Sequence, residues 1–205
     1  MNIISDNTIK GFTGLIASKE PVPGGGGASA LAGAIGVALG DMVGELTLGK
    51  KKYAEFEEEN MLQIAKAQDL RVRLIEAIDE DAAAFAPLAE AYSIPKDAPG
   101  RDETMEKCLR QAASAPLKIF ELCCESIQVV DGFRRTGSKI MLSDAATGAA
   151  ILKGALFGAA VNVKVNTKLM KDRDYASAID AKINADIEKY GRLADEIFES
   201  IYGGY

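Results

Sequence analysis

The sequence predicts an all-α protein, a single domain (residues 1–205) in which five to six long helices form a bundle. Apolar residues recur at three- and four-residue steps along most of the chain, and no segment alternates with period two for long enough to predict a strand. Pro and Gly cluster at a few points that divide these periodic segments. Segments 28–40 and 145–163 are rich in Ala and Gly, the composition of helices that approach one another closely.

The periodicity predicts helices over 6–18, 28–48, 53–92, 102–130, 145–169 and 174–201. Gly49 is expected to end the second helix, and the segment 93–101, which contains Pro and Gly, is predicted to be a loop. Pro116 lies in the middle of the fourth helix and is expected to kink it, because proline removes a helical hydrogen bond. Ser143 or Asp144 is expected to be the N-cap of the fifth helix.

Four glycines recur along one sector of the second predicted helix: Gly33, Gly36, Gly40 and Gly44. Each glycine in a helix costs about 1 kcal/mol relative to alanine, so their number indicates that another backbone approaches this face closely. Gly154 and Gly158 repeat the four-residue spacing in the fifth helix. The pattern leaves open whether these faces pack within one subunit or between two.

The chain contains no histidine, which excludes Ser-His-Asp and Cys-His catalysis and any metal site with a histidine ligand. No metal is therefore expected, and acid–base chemistry is left to Asp, Glu, Lys, Tyr or Cys. The three cysteines, Cys108, Cys123 and Cys124, are odd in number and form no Cys-x-x-Cys motif, which is typical of reduced thiols in the cytoplasm.

The net charge of −6 argues against nonspecific binding to nucleic acid or to anionic membranes. The N-terminus shows no signal peptide. Segments 28–40 and 145–163 fall short of about 20 strongly apolar residues, the length that spans a bilayer, and the second carries Lys153 at its centre. We therefore expect a cytoplasmic protein without membrane contact, and a membrane-associated helical protein is the alternative.

The segment Pro23-Gly24-Gly25-Gly26-Gly27, named here the glycine loop, leads directly into an Ala-rich helix. Such a loop offers free backbone N–H groups at a helix N-terminus, where anions bind. It matches neither a Walker motif nor a dinucleotide fingerprint, because no Gly-Lys-Ser/Thr follows it and no strand precedes it. A purely structural turn between helices explains the loop equally well.

Three acidic residues, Asp79, Glu80 and Asp81, lie inside an apolar-periodic helix. Ile78, Asp81 and Phe85 share one helical face, which directs Asp81 towards the core and Glu80 towards solvent. A carboxylate in a partly apolar cleft has a raised pKa and can act as general acid or base. A capped or ion-paired structural role for Asp81 is the alternative.

Two further groups of polar side chains are candidates for ligand contact. Lys50 and Lys51, followed by Lys52, form either a cationic cradle for an anionic small molecule or a solvated helix end. Asn162 and Asn166 are four residues apart, so their amides project from one helical face. Two such amides can bind the donors and acceptors of a heterocycle or form hydrogen bonds between helices.

These segments occur in a fixed order along the chain: Pro23-Gly24-Gly25-Gly26, 46–51 (LTLGKK), Asp79-Glu80-Asp81 with Phe85, Ser143-Asp144, and 162–166 (NVKVN). Their order and spacing resemble the cyclodeaminase domain of formiminotransferase-cyclodeaminase. They are also similar to the stand-alone bacterial methenyltetrahydrofolate cyclohydrolases of the same family. The resemblance covers about residues 7–201.

The resemblance implies an all-helical homodimer that binds a substrate with a pterin and a glutamate part in a helix-lined cleft. It implies no cofactor beyond a tetrahydrofolate derivative, which is the substrate, and a separate formiminotransferase as a possible partner. Asp81 matches the proposed catalytic carboxylate of the family, and Lys50 and Lys51 match positions that are basic in relatives. Relatives often have Ser where this chain has Gly27, and Ser29 follows two residues later.

The resulting hypothesis is a formimidoyltetrahydrofolate cyclodeaminase in which Asp81 is the general acid and base. A methenyltetrahydrofolate cyclohydrolase is the alternative hypothesis, and a non-catalytic folate-binding module is a third. The glycine loop, with Lys50 and Lys51, is expected to hold the glutamate carboxylates. Asp144, Asn162 and Asn166 are expected to line the pterin end.

Overall fold

The computed structural model describes residues 3–204, and helices account for most of them. The six α-helices are α1 (Ile9–Ile16), α2 (Gly25–Glu45), α3 (Glu57–Ala91), α4 (Arg101–Thr136), α5 (Leu142–Thr167) and α6 (Arg173–Tyr202). Short 3-10 helices span Ile4–Asp6, Lys51–Phe56 and Lys139–Met141. No strand occurs between residues 3 and 204, so the predicted all-α class is confirmed.

Helices α2, α3, α4 and α5 surround the main hydrophobic core. Helices α2 and α4 contact each other, and each also contacts both α3 and α5, so α3 and α5 lie on opposite sides of the α2–α4 pair. Helix α6 covers α5 and part of α4. The core is filled by Leu, Ile and Phe of α3 and α4 and by Ala and Gly of α2 and α5.

Helices α2 and α5 run antiparallel, and their backbones touch at two glycines. A Cβ atom on Gly148 would lie 2.6 Å from the Gly36 carbonyl oxygen. Because backbone atoms cannot rotate away, only glycine permits this distance. The same pairing places Gly158 against Ser29 and Gly25 against Asn162. The predicted close approach along the α2 glycine sector therefore occurs within one subunit, and Gly148 is a partner that the sequence did not single out.

Helix α2 is shorter than its neighbours, and this leaves a trough at one end of the bundle. Helix α3 runs antiparallel to α2, with Asp81 beside Gly26, and continues for ten more residues to Ala91. At 1.5 Å per residue, it extends about 15 Å beyond the start of α2. The trough thus has α4 as its floor, the ends of α3 and α5 as its walls, and the N-terminus of α2 at its inner end.

Three helix ends differ from the prediction. Helix α5 begins at Leu142, so the expected N-cap at Ser143 or Asp144 is wrong, and both residues lie in the first helical turn. Helix α4 continues past Asp131-Gly132 to Thr136, because Gly132 packs tightly against the Gln63 side chain instead of forming a turn. Helix α2 begins at Gly25, so most of the glycine loop is helical.

Two helical segments, Gly25–Glu45 and Lys139–Thr167, are long and apolar enough to cross a membrane by length and composition alone. In the bundle, however, 56% of the apolar 18-residue stretch of the first segment and 50% of that of the second are buried. Their composition is therefore explained by their central position, and their outer faces remain apolar.

We expect Gly148→Ala to lower the free energy of unfolding by about 1–3 kcal/mol, because the added methyl group would overlap the Gly36 carbonyl. The matched control is Gly14→Ala in α1, where an added Cβ meets no atom within 4 Å. This control should raise the free energy of unfolding by about 0.5–1 kcal/mol through helix propensity. Chemical denaturation measures both, and equal effects of the two substitutions would contradict the contact.

Candidate active site

A cavity of about 150 Å³ lies at the inner end of the trough, where the glycine loop meets α3, α4 and α5. Its wall includes Gly24, Gly25, Gly26, Asp81, Phe85, Pro116, Asn162 and Asn166. Pro23 is buried beside Gly27 and supports the loop from behind. The structure therefore brings the glycine loop, the candidate carboxylate and both candidate asparagines into one pocket.

The three neighbouring acidic residues have three different surroundings. Asp79 accepts hydrogen bonds from the Ile4 backbone amide at 2.6 Å and from the Ser5 hydroxyl at 2.6 Å, so it anchors the N-terminal segment. Glu80 pairs with Lys118 at 2.7 Å on the exposed surface. Asp81 alone faces the pocket. The predicted orientation of Glu80 towards solvent and Asp81 towards the core is confirmed.

The N-terminus of α2 packs directly on the Asp81 carboxyl group. A Cβ atom on Gly26 would clash with both carboxylate oxygens, so the absence of a side chain there gives Asp81 its position. Burial raises the pKa of Asp81, and the backbone amide of Gly27 opposes this rise. No Lys or Arg lines the cavity within residues 3–204. Asp81 is thus an acidic group without a cationic partner, which favours its protonated form.

The two pocket asparagines use their amide nitrogens to bond the backbone. The Asn162 Nδ2 group donates to the Gly158 carbonyl at 2.8 Å, and the Asn166 Nδ2 group donates to the Asn162 carbonyl at 2.9 Å. Neither Oδ1 atom accepts a hydrogen bond from any residue that the structure describes. Two acceptor oxygens therefore remain for the donors of a ligand.

Asn166 also compensates for a defect in α4. Pro116 has no N–H, so it cannot bond the carbonyl of Ala112 four residues earlier. The Asn166 Nδ2 group lies 3.3 Å from this oxygen and donates to it. The sequence analysis treated Pro116 only as the cause of a kink. The Ala112 carbonyl that Pro116 leaves without a helical partner was a sign that a polar side chain must lie nearby, because buried carbonyl groups are almost always hydrogen-bonded.

Lys50, Lys51 and Asp144 lie far from this pocket in the same subunit. The Lys50 ammonium donates to the Ser138 hydroxyl at 3.1 Å, beyond the C-terminal end of α2. Asp144 precedes Asn162 by 18 residues in one helix, a separation of about 27 Å. One subunit therefore does not bring these three residues to the glycine loop or to Asn162 and Asn166, contrary to the sequence expectation.

Ser29 does not supply a hydroxyl to the pocket. Its side chain is buried, donates to the Gly25 carbonyl at 2.7 Å and packs against Gly158. In the part of the chain that the structure describes, no three Asp, Glu or Cys side chains converge as a metal site. Asp81 is therefore the ionisable group in this pocket that can transfer a proton.

Comparison with known proteins identifies the family. The family model described as formiminotransferase-cyclodeaminase matches residues 8–185. The chain belongs to this family. Members of the family that it resembles are enzymes, so the expectation of an enzyme is confirmed.

Two relatives show that the family includes both proteins of about this length and longer proteins of which this chain matches only a part. It is 34% identical to the methenyltetrahydrofolate cyclohydrolase of Methylorubrum extorquens over 200 residues, which are 96% of each chain. It is 32% identical to the mouse formimidoyltransferase-cyclodeaminase over 171 residues, 82% of this chain. This chain spans about a third (32%) of the length of the mouse protein.

The fold of the family member matches a solved structure. The crystal structure of formiminotetrahydrofolate cyclodeaminase from Thermotoga maritima superimposes with a TM-score of 0.85 at 25% identity. The match covers 97% of this chain and 99% of the Thermotoga chain.

We expect Asp81→Asn to raise the free energy of unfolding at neutral pH, because burial disfavours the charged form that the substitution removes. An acid with a raised folded pKa loses stability as pH rises from its unfolded value, about 3.9, through its folded value. The increase in the free energy of unfolding caused by Asp81→Asn should therefore be absent at acid pH. It should grow between the unfolded and the folded pKa of Asp81 and be constant at higher pH. Denaturation across pH measures it, with exposed Glu80→Gln as control, and a gain independent of pH would contradict the assignment.

Proposed function

We propose that the protein is a formimidoyltetrahydrofolate cyclodeaminase and that Asp81 is its general acid and base. The observation that carries the proposal is a partly buried carboxyl group of raised pKa in a pocket whose described wall contains no cation. Membership of the family supplies the substrate class. No cofactor beyond the tetrahydrofolate derivative is needed for this chemistry.

In the proposed reaction, N10 of 5-formiminotetrahydrofolate attacks the formimino carbon on N5. The N10 proton moves to the imino nitrogen, which becomes an amino group on a tetrahedral carbon. Protonated Asp81 then donates its proton to this nitrogen, the carbon–nitrogen bond breaks, and ammonia leaves. The resulting Asp81 carboxylate faces the 5,10-methenyl cation and stabilises its charge, because the two opposite charges lie in a partly buried site.

The pocket fits the pterin part of such a substrate. The Oδ1 atoms of Asn162 and Asn166 can accept hydrogen bonds from pterin N–H groups. Its volume of about 150 Å³ is below the range of about 300–1,000 Å³ for sites that enclose a drug-sized ligand. We infer that it holds the pterin and the reacting carbon rather than the whole folate.

Methenyltetrahydrofolate cyclohydrolase is the second candidate, because the Methylorubrum relative of that name matches almost the full length of this chain. In that reaction, water adds to the methenyl carbon and Asp81 as carboxylate accepts its proton. Asp81 then returns this proton to N5 as the bond between N5 and the carbon breaks, and the hydroxyl group of the adduct loses its proton to solvent as the formyl C=O of the 10-formyl compound forms. The raised pKa of Asp81 suits the acid role better than the base role at neutral pH, which favours the cyclodeaminase.

We expect Asp81→Asn to abolish turnover, with a loss of at least about 10²–10⁴-fold, while the fold and folate binding are retained. A paired absorbance assay follows the methenyl chromophore from 5-formiminotetrahydrofolate in one cuvette and from 5,10-methenyltetrahydrofolate in the other. Gain of signal in the first identifies a cyclodeaminase, and faster loss in the second alone identifies a cyclohydrolase.

The matched control for this assay is Glu80→Gln, which removes the neighbouring carboxylate outside the pocket. It should retain wild-type turnover. Turnover of Asp81→Asn close to wild type would remove Asp81 from the mechanism. Saturable folate binding by the wild type without turnover in either cuvette would favour a binding module.

We also propose that the protein is a homodimer paired through the outer faces of α2 and α5. The exposed apolar side chains of these two neighbouring helices include Ile35, Met42, Val161 and Val165, and Leu46 directly follows α2. A concentration of exposed apolar side chains on two adjacent helices favours an interaction site. Gly154 lies on the exposed side of α5, and an added Cβ there meets no atom within 4 Å. Glycine lowers the stability of a helix, and its presence at position 154 is explained if the backbone of a second copy approaches closely there.

We place the twofold axis of this dimer perpendicular to α2 and α5, so that equivalent helices run antiparallel between the two copies. The Lys50–Lys51 end of one copy then approaches the glycine loop of the other. Under this arrangement, Lys50, Lys51 and Asp144 of a second copy can contact substrate although they lie far from the pocket of their own subunit.

We expect Ile35→Glu combined with Val161→Glu to produce a folded monomer, because both substitutions place charges in the proposed interface. Light scattering coupled to size-exclusion chromatography measures the mass. Val72→Glu is the control, because this equally exposed apolar residue lies on α3. A monomeric wild type, or dissociation by the control as well, would contradict the proposed interface.

A cytoplasmic location without nucleic-acid or membrane partners accords with three free, buried cysteines. In a histidine-degrading pathway, a separate formiminotransferase would supply the 5-formimino substrate.

A further inference from the structure

A second cavity of about 260 Å³ lies beyond the Asp81 pocket. The second cavity lies towards the open end of the bundle. Its wall consists of the aromatic and apolar residues Tyr92, Met105, Leu109 and Leu169, the cations Arg101 and Lys171, and the acidic residues Asp102 and Glu106. None of these residues was singled out by the sequence motifs.

Helical geometry connects the two cavities along the same three helices. Leu109 precedes the pocket residue Ala112 by three positions in α4, a spacing that keeps the two side chains on one helical face. Leu169 follows Asn166 by three positions, in the turn directly after α5. Tyr92 lies 11 residues beyond Asp81, about 16 Å along the axis of α3. A single elongated ligand can therefore occupy both cavities.

The second cavity presents an aromatic ring and apolar side chains to a ligand. The Tyr92 side chain at the end of α3 is 51% exposed, and Leu169 is 53% exposed. Leu109 is buried below them and Met105 is partly buried. An exposed tyrosine beside apolar groups is suited to stacking against an aromatic ring.

Arg101 provides the free positive charge of this cavity. Its Nε group donates to the Ile94 carbonyl at 3.0 Å, which orients the guanidinium group. Its two terminal amino groups have no partner among the residues described between 3 and 204. The other cation, Lys171, pairs with Asp102, and its backbone amide donates to Glu106 at 2.7 Å. Arg101 is therefore the group available for a ligand carboxylate.

We infer that this cavity binds the p-aminobenzoylglutamate half of the substrate, with the benzoyl ring against Tyr92 and a glutamate carboxylate on Arg101. The inference rests on the proposed folate function and specifies how the substrate lies. The pterin occupies the Asp81 pocket, and the chain of the substrate follows the trough away from α2.

The probe is p-aminobenzoylglutamate, which carries the ring and the carboxylates but no pterin. We expect it to bind the wild-type protein in a calorimetric titration. Tyr92→Ala and Arg101→Ala should each weaken its binding by about five- to tenfold, the usual worth of one aromatic contact or one charged hydrogen bond. Tyr92→Phe retains the ring and should bind like the wild type.

Matched controls lie at the other end of the bundle. Tyr202→Ala removes another exposed tyrosine, and Arg135→Ala removes an exposed arginine from the opposite end of α4. Both should leave probe binding unchanged. Tyr92 is exposed, so its substitution tests the cavity even if Arg101→Ala disturbs the loop that Arg101 holds.

Failure of wild-type binding, or equal binding by Tyr92→Ala, Arg101→Ala and the wild type, would overturn the assignment. Weakening by Lys50→Ala with Lys51→Ala, and not by the cavity variants, would also overturn it and place the glutamate on a second copy. Because the titration measures binding without turnover, it tests the proposed binding cavity independently of the proposed reaction. Probe binding through Tyr92 and Arg101 without turnover of either folate would support the cavity and contradict the reaction.

Discussion

The backbone contact between α2 and α5 determines where the site lies. Gly36 and Gly148 allow the two helices to touch, and this contact sets the depth of α2 in the bundle. The N-terminus of α2 is thereby held against Asp81 on one side and Asn162 on the other. A side chain at Gly25 or Gly26 would push this helix end away from both groups. The same close packing that stabilises the bundle therefore assembles the pocket.

Burial without a cation gives Asp81 its chemical character. Asp79 is hydrogen-bonded to the N-terminal segment and Glu80 is paired with Lys118, so neither side chain lines the pocket. Desolvation raises the pKa of Asp81, and the α2 N-terminus limits this rise through the Gly27 amide. The net result is a carboxyl group whose pKa is raised, which favours the protonated form that the proposed cyclodeaminase reaction uses.

The pocket and the stability of α4 are coupled through Pro116. This residue lines the pocket but leaves the Ala112 carbonyl without its helical partner. Asn166 restores a hydrogen bond to that oxygen from the wall of the pocket. The orientation of the Asn166 amide is thus fixed before substrate binds, because the hydrogen bond of Nδ2 to Ala112 also determines where Oδ1 points.

The sequence by itself determined the helical class, the approximate helices and the carboxylate that faces inward. Each of these follows from local periodicity and turn residues, which are properties of neighbouring positions along the chain. The helix starts at Gly25 and Leu142 were missed, because glycine-rich and uncapped ends carry no clear local signal.

Only the tertiary structure decided which distant residues meet. It joined the glycine loop to Asp81, Asn162 and Asn166, and it separated Lys50, Lys51 and Asp144 from them by most of the length of a helix. It also revealed the trough, because the trough arises from α2 being shorter than α3 and α4. Relative helix lengths and antiparallel register depend on packing across the whole bundle, and no local sequence pattern records them.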